Sequence, residues 1–130
     1  MTPPVAGPFR AVLAGVALAG LAVPVAARAQ ASVIPKAFQG HWEEDTRYCS
    51  APTDATLTLT ATELHGWEAE GKVTKVEDVG PRAIVISADF SGEGETWSSS
   101  ERYELSADGT MMTTANEQTT FQRFRCPKGK

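Results

Sequence analysis

Cysteine and histidine are scarce in this chain, which has two of each among its 130 residues. Cys49 is the first cysteine, so no lipid-attachment cysteine follows the apolar N-terminal segment. The N-terminal arginines are not paired, which argues against twin-arginine export. No motif for a nucleotide, a cofactor or an activated nucleophile stands out, and we expect no bound cofactor. The sequence therefore indicates a compartment and a fold more directly than a reaction.

The first 29 residues have the composition of a secretory signal peptide. Arg10 precedes an uncharged run, residues 11–27, built mainly from Ala, Val, Leu and Gly. Ala27-Arg28-Ala29 then supplies the small-x-small pattern that signal peptidase cuts. An anchoring helix is the alternative, but it needs about 20 apolar residues, whereas this run is shorter and contains Pro24. Cleavage after Ala29, or after Ala31, predicts a soluble periplasmic or secreted protein.

The chain that remains after cleavage is acidic. The full sequence has 16 acidic and 12 basic side chains, and removing Arg10 and Arg28 takes the net charge from −4 to near −6. An acidic surface repels phosphate backbones and anionic headgroups, and it also favours solubility. We expect a monomer that binds neither nucleic acid nor, after cleavage, the membrane.

The two cysteines lie near opposite ends of the mature chain. In an oxidising compartment an even pair of cysteines indicates a structural disulfide, here Cys49–Cys126. Metal binding by two isolated cysteines is the weaker interpretation. The disulfide would join the region of the first strand to the region of the last.

The mature sequence predicts an all-β domain. We expect residues 30–36 to form a short mobile leader and residues 37–130 to form one domain. Alternation is clearest in residues 55–60, where Thr and Leu take turns. Gly80-Pro81 and Asp108-Gly109 mark turns, and Gly71 separates two strands in this scheme. Val73 and Val76 break the alternation, so a β-bulge is expected near Lys75.

About eight strands follow one another in this pattern, and no segment has sustained helical periodicity. Short connections favour an antiparallel up-and-down meander. A closed or nearly closed barrel would leave few exposed strand edges in a chain rich in strand-forming residues. An open sandwich of two short sheets is the alternative.

Gly40-His41-Trp42 on the first strand and Arg123-Phe124-Arg125-Cys126 at the end carry a resemblance to the lipocalin-like (calycin) barrels. Within that group the chain resembles small bacterial envelope proteins and, more distantly, the periplasmic metalloprotease inhibitors of the Inh type. It is also similar to short exported bacterial proteins of no assigned activity. The resemblance implies a barrel floor of Gly40 and Trp42, with Arg123 or Arg125 lying across the tryptophan ring.

Several polar groups are candidates for chemistry, and each has a simpler interpretation. His41 and His65 are potential metal ligands together with nearby acids, but their spacing fits no recognised site. A carboxylate pair and a serine run are candidates for catalysis, although a hairpin tip and a solvent-facing strand explain them equally well. The nearby acids are Glu43, Glu44 and Asp45; the carboxylates are Glu93 and Glu95; the serines are residues 98–100.

Trp67 and Trp97 are either core residues or the wall of a small apolar pocket. Taken together, these features predict an exported, non-enzymatic envelope protein that binds another protein or a small apolar ligand. A periplasmic protease inhibitor is one alternative, in which the N-terminal segment enters a protease cleft. A small hydrolase is the other.

Overall fold

A computed structural model describes residues 32–129 continuously, together with positions 2, 4, 15, 19 and 20. Apart from those isolated positions, the predicted signal peptide lies outside the described residues. None of the helices in the described part of the chain is long and apolar enough to cross a bilayer.

Eight antiparallel strands form a closed barrel in which each strand pairs with its neighbours in sequence and β1 pairs with β8. The predicted up-and-down barrel is therefore confirmed, and the open sandwich is wrong. The strands are β1 (Gly40–Glu43), β2 (Leu57–Leu59), β3 (Glu63–Gly66), β4 (Ala69–Gly80), β5 (Ala83–Gly92), β6 (Glu95–Leu105), β7 (Met111–Ala115) and β8 (Thr120–Arg125).

Alternation along the strands places one set of side chains inside the barrel. In β2, Leu57 and Leu59 are buried, while Thr58 between them is partly exposed. The inner-facing side chains form one hydrophobic core at the centre of the barrel. Its buried members are Ile34, Phe38, Trp42, Leu57, Leu59, Leu64, Val76, Ile84, Ile86, Ala88, Tyr103, Leu105 and Met112.

The expected bulge lies in β4. Val73 pairs with Ala88, but the next pair is Lys75 with Ser87, which leaves Thr74 as the extra residue. The Thr74 hydroxyl donates to the carbonyl oxygen of Ser87 at 3.1 Å. The extra residue restores the alternation, so that Val73 and Val76 both pack on the core.

Gly71 does not separate two strands, as the sequence suggested, but lies inside β4. It pairs with Leu64 on one side and with Phe90 on the other. A Cβ at position 71 would lie 2.6 Å from Cε1 of Phe90, because the Phe90 ring covers the glycine. This glycine is needed for close packing, and the actual turn is formed by residues 67 and 68.

The two ends of the barrel are built differently. We call the end that holds the β2–β3, β4–β5 and β6–β7 connections the floor, and the opposite end the mouth. A short 3-10 helix, Lys36–Phe38, covers the floor.

Ile34 was expected in a leader outside the domain, but it is 0% exposed and its N–H donates to the carbonyl oxygen of Ala61 at 2.8 Å. The folded domain thus begins before Ala37, because an apolar plug is needed beneath the barrel.

The predicted disulfide is confirmed. Cys49 ends a second 3-10 helix, Thr46–Tyr48, in the long β1–β2 connection, and Cys126 directly follows β8. The bond therefore fixes the β1–β2 connection to the last strand. A disulfide of this kind is compatible with an oxidising compartment.

Replacing both cysteines in the mature protein, as Cys49→Ala/Cys126→Ala, should lower the free energy of unfolding by up to about 4 kcal/mol. The loop that the disulfide closes is long, so its removal frees many conformations of the unfolded chain. Urea denaturation followed by circular dichroism measures the change. An unchanged denaturation midpoint would contradict this account of the disulfide.

Candidate functional site

The floor is organised around Trp42 and Arg125. The Arg125 guanidinium lies over the Trp42 ring, 4.2 Å from its centroid. Its nitrogens donate to three carbonyl oxygens, those of Gln39 (2.7 Å), Gly109 (3.1 Å) and Ala37. Trp42 Nε1 donates in turn to the carbonyl oxygen of Phe38 at 3.0 Å. The guanidinium therefore ties the 3-10 helix and the β6–β7 turn to the tryptophan and closes this end.

The sequence left two candidates for the arginine across Trp42, and the structure places Arg125 there. Register is the reason: Arg125 pairs with Trp42, whereas Arg123 pairs with Met112, two residues nearer the mouth. Gly40 has φ = +132°, and a Cβ there would lie 3.1 Å from Nη1 of Arg125. Glycine at position 40 thus leaves room for the guanidinium.

Arg123 instead belongs to a polar cluster on the inner face at the mouth. Its Nε donates to the carbonyl oxygen of Ala55 at 2.7 Å, and its Nη1 donates to the Thr114 hydroxyl at 3.4 Å. Its guanidinium also lies 4.6 Å from the centroid of the Phe121 ring. Glu101, on the same inner face, accepts from Asn116 Nδ2 at 3.3 Å. The interior is therefore apolar near the floor and polar near the mouth.

Burial perturbs the charges of this cluster. Loss of solvent raises the pKa of Tyr103 above its ordinary value; Glu101 adds to the rise and Arg123 opposes it. Loss of solvent also lowers the pKa of Arg123, against which the nearby Tyr103 and Glu101 act. At neutral pH the cluster therefore holds a neutral phenol beside a poorly solvated guanidinium.

Two large aromatic side chains on the inner face, Trp97 and Phe121, are partly exposed toward the mouth. Trp97 is 44% exposed and stacks on Phe90, with centroids 5.6 Å apart and planes within 7°. Phe121 is 37% exposed on β8. Trp67 lies in the β3–β4 turn and is exposed, so it is not a core residue. Phe90 is partly buried and packs against the core. Trp97, which stacks on it, therefore lies between the core and the mouth.

A shallow groove of about 580 Å³ crosses strands β3 to β6. Most of its lining is polar and comes from the outward-facing positions of these strands. His65 lies in it between two carboxylates, with Nε2 2.9 Å from Glu63 and Nδ1 3.6 Å from Glu70. The remaining lining residues are Gly71, Lys72, Asp89, Phe90, Ser91, Thr96, Trp97 and Ser98.

Glu43 is a buried carboxylate whose environment the sequence did not reveal. It is 0% exposed on the outer side of β1, beneath the β1–β2 connection. His41 Nε2 lies 2.7 Å from its Oε1, the Thr56 hydroxyl donates at 2.6 Å and the Thr53 hydroxyl at 3.5 Å. Among the described residues no buried side-chain nitrogen or oxygen lacks a partner. These three partners supply the hydrogen bonds that the buried Glu43 carboxylate needs, so its role is structural.

The other acids of that region lie apart from this network. Glu44 is exposed, and Asp45 caps the second 3-10 helix by accepting from the backbone N–H of Arg47 at 2.9 Å. Among the described residues, no group of three or more His, Cys, Asp or Glu side chains is arranged to hold a metal ion.

The candidate catalytic groups also have structural partners. Glu93 lies next to Glu68 on the adjacent hairpin, and the hydrogen bond between their side chains raises the pKa of Glu68. Ser98 Oγ donates to Asp89 at 2.7 Å, and the hydroxyls of Ser100 and Ser87 lie 2.7 Å apart. The partner of Ser98 is thus an exposed carboxylate and the partner of Ser100 is another hydroxyl, so both bonds are cross-strand contacts on the outer face of the sheet.

No known protein family, curated protein or solved structure matches this chain.

Replacing Arg125 with alanine should lower the free energy of unfolding by about 3 kcal/mol. The substitution removes the cation–π contact and leaves backbone carbonyls of the floor without their donors. Arg47→Ala is the matched control, because Arg47 lies over Tyr48 on an exposed surface. Urea denaturation measures both variants, and equal effects would show that the floor contact contributes nothing specific.

Tyr103 should make the barrel less stable at alkaline pH. Above about pH 10 the unfolded chain loses the phenol proton while the folded chain keeps it. The free energy of unfolding then falls by up to about 1.4 kcal/mol per pH unit. Denaturation of Tyr103→Phe should lack this decline, whereas Tyr48→Phe should retain it. Tyrosinate absorbance that appears in the folded protein of Tyr48→Phe would contradict the prediction.

Proposed function

We propose that this chain is an exported, non-enzymatic binding protein that holds a small amphipathic molecule at the mouth of its barrel. The ligand has an apolar or aromatic body and an anionic end. The difference between the two ends of the barrel is the observation that carries this proposal. The floor is closed by a plug and an arginine, whereas inner-facing aromatic rings remain exposed at the mouth.

Arg123 is the group at the mouth that would receive the anionic end. It uses two hydrogen bonds within the protein, to Ala55 and Thr114. Nη2 of Arg123 has no partner among the described residues, and because no buried side-chain nitrogen in that part of the chain lacks a partner, Nη2 reaches solvent. A guanidinium that has lost part of its hydration gains more from an anion than an exposed one does.

Trp97 and Phe121 supply the apolar side of the site. Both are large, lie on the inner face and are more than a third exposed. Aromatic walls with a few polar groups are characteristic of sites for small molecules. Thr114 and Tyr103 lie beside Phe121 on the neighbouring strands, with Trp97 six residues farther along β6, and they provide hydroxyl groups that can orient a ligand.

Two features support a location in the periplasm or outside the cell. The signal-peptide pattern of residues 1–29 and the oxidised cysteine pair point to the same compartment. The resemblance to lipocalin-like barrels points to the same kind of function, since Arg125 lies across Trp42 as that resemblance implies. The inhibitor alternative gains less support, because Ile34 and Phe38 are buried in the floor and are not free to enter a protease cleft.

Anilinonaphthalene sulfonate, an aromatic anion, is a suitable probe of the mouth. It should bind the folded mature protein with one-to-one stoichiometry and quench Trp97. Arg123→Gln should weaken binding by about ten- to a hundredfold, the range expected for losing a charged hydrogen bond. Fluorescence titration measures both effects.

Arg102→Gln is the matched control, since Arg102 lies on the outer face and pairs with Glu104. Near-ultraviolet circular dichroism must show native packing in each variant, because loosely folded proteins also bind this dye. Equal weakening by the two substitutions, or no binding to the native protein, would refute the proposed site.

A further inference from the structure

Strand β6 has a long edge that no described residue pairs with. The strand contains 11 residues, but β7 pairs with residues 102–105 alone. Residues 95–101 continue beyond that point, pairing with β5 on the other side. This segment has the sequence Glu-Thr-Trp-Ser-Ser-Ser-Glu, without proline or lysine. Its pairing with β5 shows no bulge.

The backbone groups that face this open edge can be identified from the pairing pattern. The N–H of Leu105 donates to Arg82, which lies on the β5 side. Along an antiparallel strand, the backbone N–H and C=O groups of successive residues point alternately to one neighbouring strand and to the other. The β5–β6 pairing has no register shift, so this alternation continues along the whole of β6. The N–H and C=O groups of Thr96, Ser98 and Ser100 therefore point away from β5, toward the open edge. Trp97 and Ser99 place their side chains on the inner face beside it.

A second open edge in the same sheet shows how this protein blocks unwanted pairing. Residues 74–80 of β4 extend beyond their pairing with β3. That segment begins with the bulge at Thr74 and carries Lys75, Glu77 and Asp78. Bulges and charges of this kind prevent strands from adding to an edge. The β6 edge has neither a bulge nor central charges.

The geometry points to residues 95–101 as a docking site for an extended peptide segment of a basic partner protein, which adds to β6 as a further strand. Strand addition uses the free backbone groups for affinity and the side chains on alternate positions for specificity. Glu95 and Glu101 lie at the two ends of the edge, on the same face as Trp97. They select a strand with Lys or Arg at its ends and an apolar residue opposite Trp97.

Charge argues against a second copy of this chain as the occupant. Two antiparallel β6 edges centred on Ser98 would place Glu95 of each copy opposite Glu101 of the other. Like charges directly opposite one another destabilise a strand pair. The same two carboxylates favour a cationic strand, as does the acidic surplus of the mature chain.

The peptide acetyl-Lys-Thr-Val-Thr-Val-Thr-Lys-amide tests this site. Its sequence is the same in both directions, so parallel and antiparallel addition present the same side chains. It should bind the mature protein and perturb the backbone N–H resonances of Thr96, Ser98 and Ser100. The version with Glu in place of both Lys should bind at least about fivefold more weakly.

Ser98→Pro provides the sharpest variant. It removes an N–H from the open edge, and the groups that bond to β5 belong to residues 97 and 99, so the existing sheet is retained. Peptide binding should fall at least about tenfold. Ser98→Ala is the matched control, because it loses the same hydroxyl but keeps the N–H. Binding of anilinonaphthalene sulfonate should persist in Ser98→Pro, which separates this site from the proposed ligand site at the mouth.

Three outcomes would overturn the inference. Resonance changes confined to other strands would place the peptide elsewhere, and this test needs no variant that must fold. Equal binding of the Lys and Glu peptides would exclude a basic partner. A dimer in analytical ultracentrifugation that Ser98→Pro dissociates would identify a second copy of the chain as the occupant.

Discussion

Closure of the barrel between its first and last strands is the constraint on which the rest of the structure depends. Strand β1 has four residues, and its pairing with β8 consists of Trp42 with Arg125 and Glu43 with Phe124. So short a ladder provides few backbone hydrogen bonds, and the end of β8 supplies the remaining contacts. Arg125 ties down the floor, Arg123 bonds to Ala55, and the N–H of Cys126 donates to His41 at 2.8 Å.

The disulfide and the buried Glu43 both lie where β1 meets β8. Burying a carboxylate is costly unless hydrogen bonds replace its water. The β1–β2 connection brings Thr53 and Thr56 over Glu43, and His41 approaches from its own strand. Cys49 holds that connection against β8 through Cys126. The covalent bond therefore keeps in place the groups that make the burial of Glu43 tolerable.

Local sequence patterns predicted most of the fold, because strand alternation and turn residues act over short distances. Thr and Leu in β2, the bulge implied by Val73 and Val76, and the cysteine pair all lie where they were expected. What the sequence left open depends on the register between distant strands. The choice between Arg123 and Arg125 requires knowing which residue lies opposite Trp42. Local patterns likewise placed Ile34 outside the domain, because they do not reveal that the floor of the barrel needs an apolar residue to fill it.

Unequal strand lengths explain why the exposed Trp97 and the free edge of β6 lie next to each other at the mouth. Strands β4, β5 and β6 have 12, 10 and 11 residues, whereas β7 and β8 have five and six. At the mouth, β5 and β6 therefore extend beyond β7 and β8. Inner-facing residues of this extension lack partners across the barrel, which exposes Trp97. The backbone of β6 lacks a neighbour for the same reason. One mismatch in length therefore produces an aromatic surface and a free strand edge side by side.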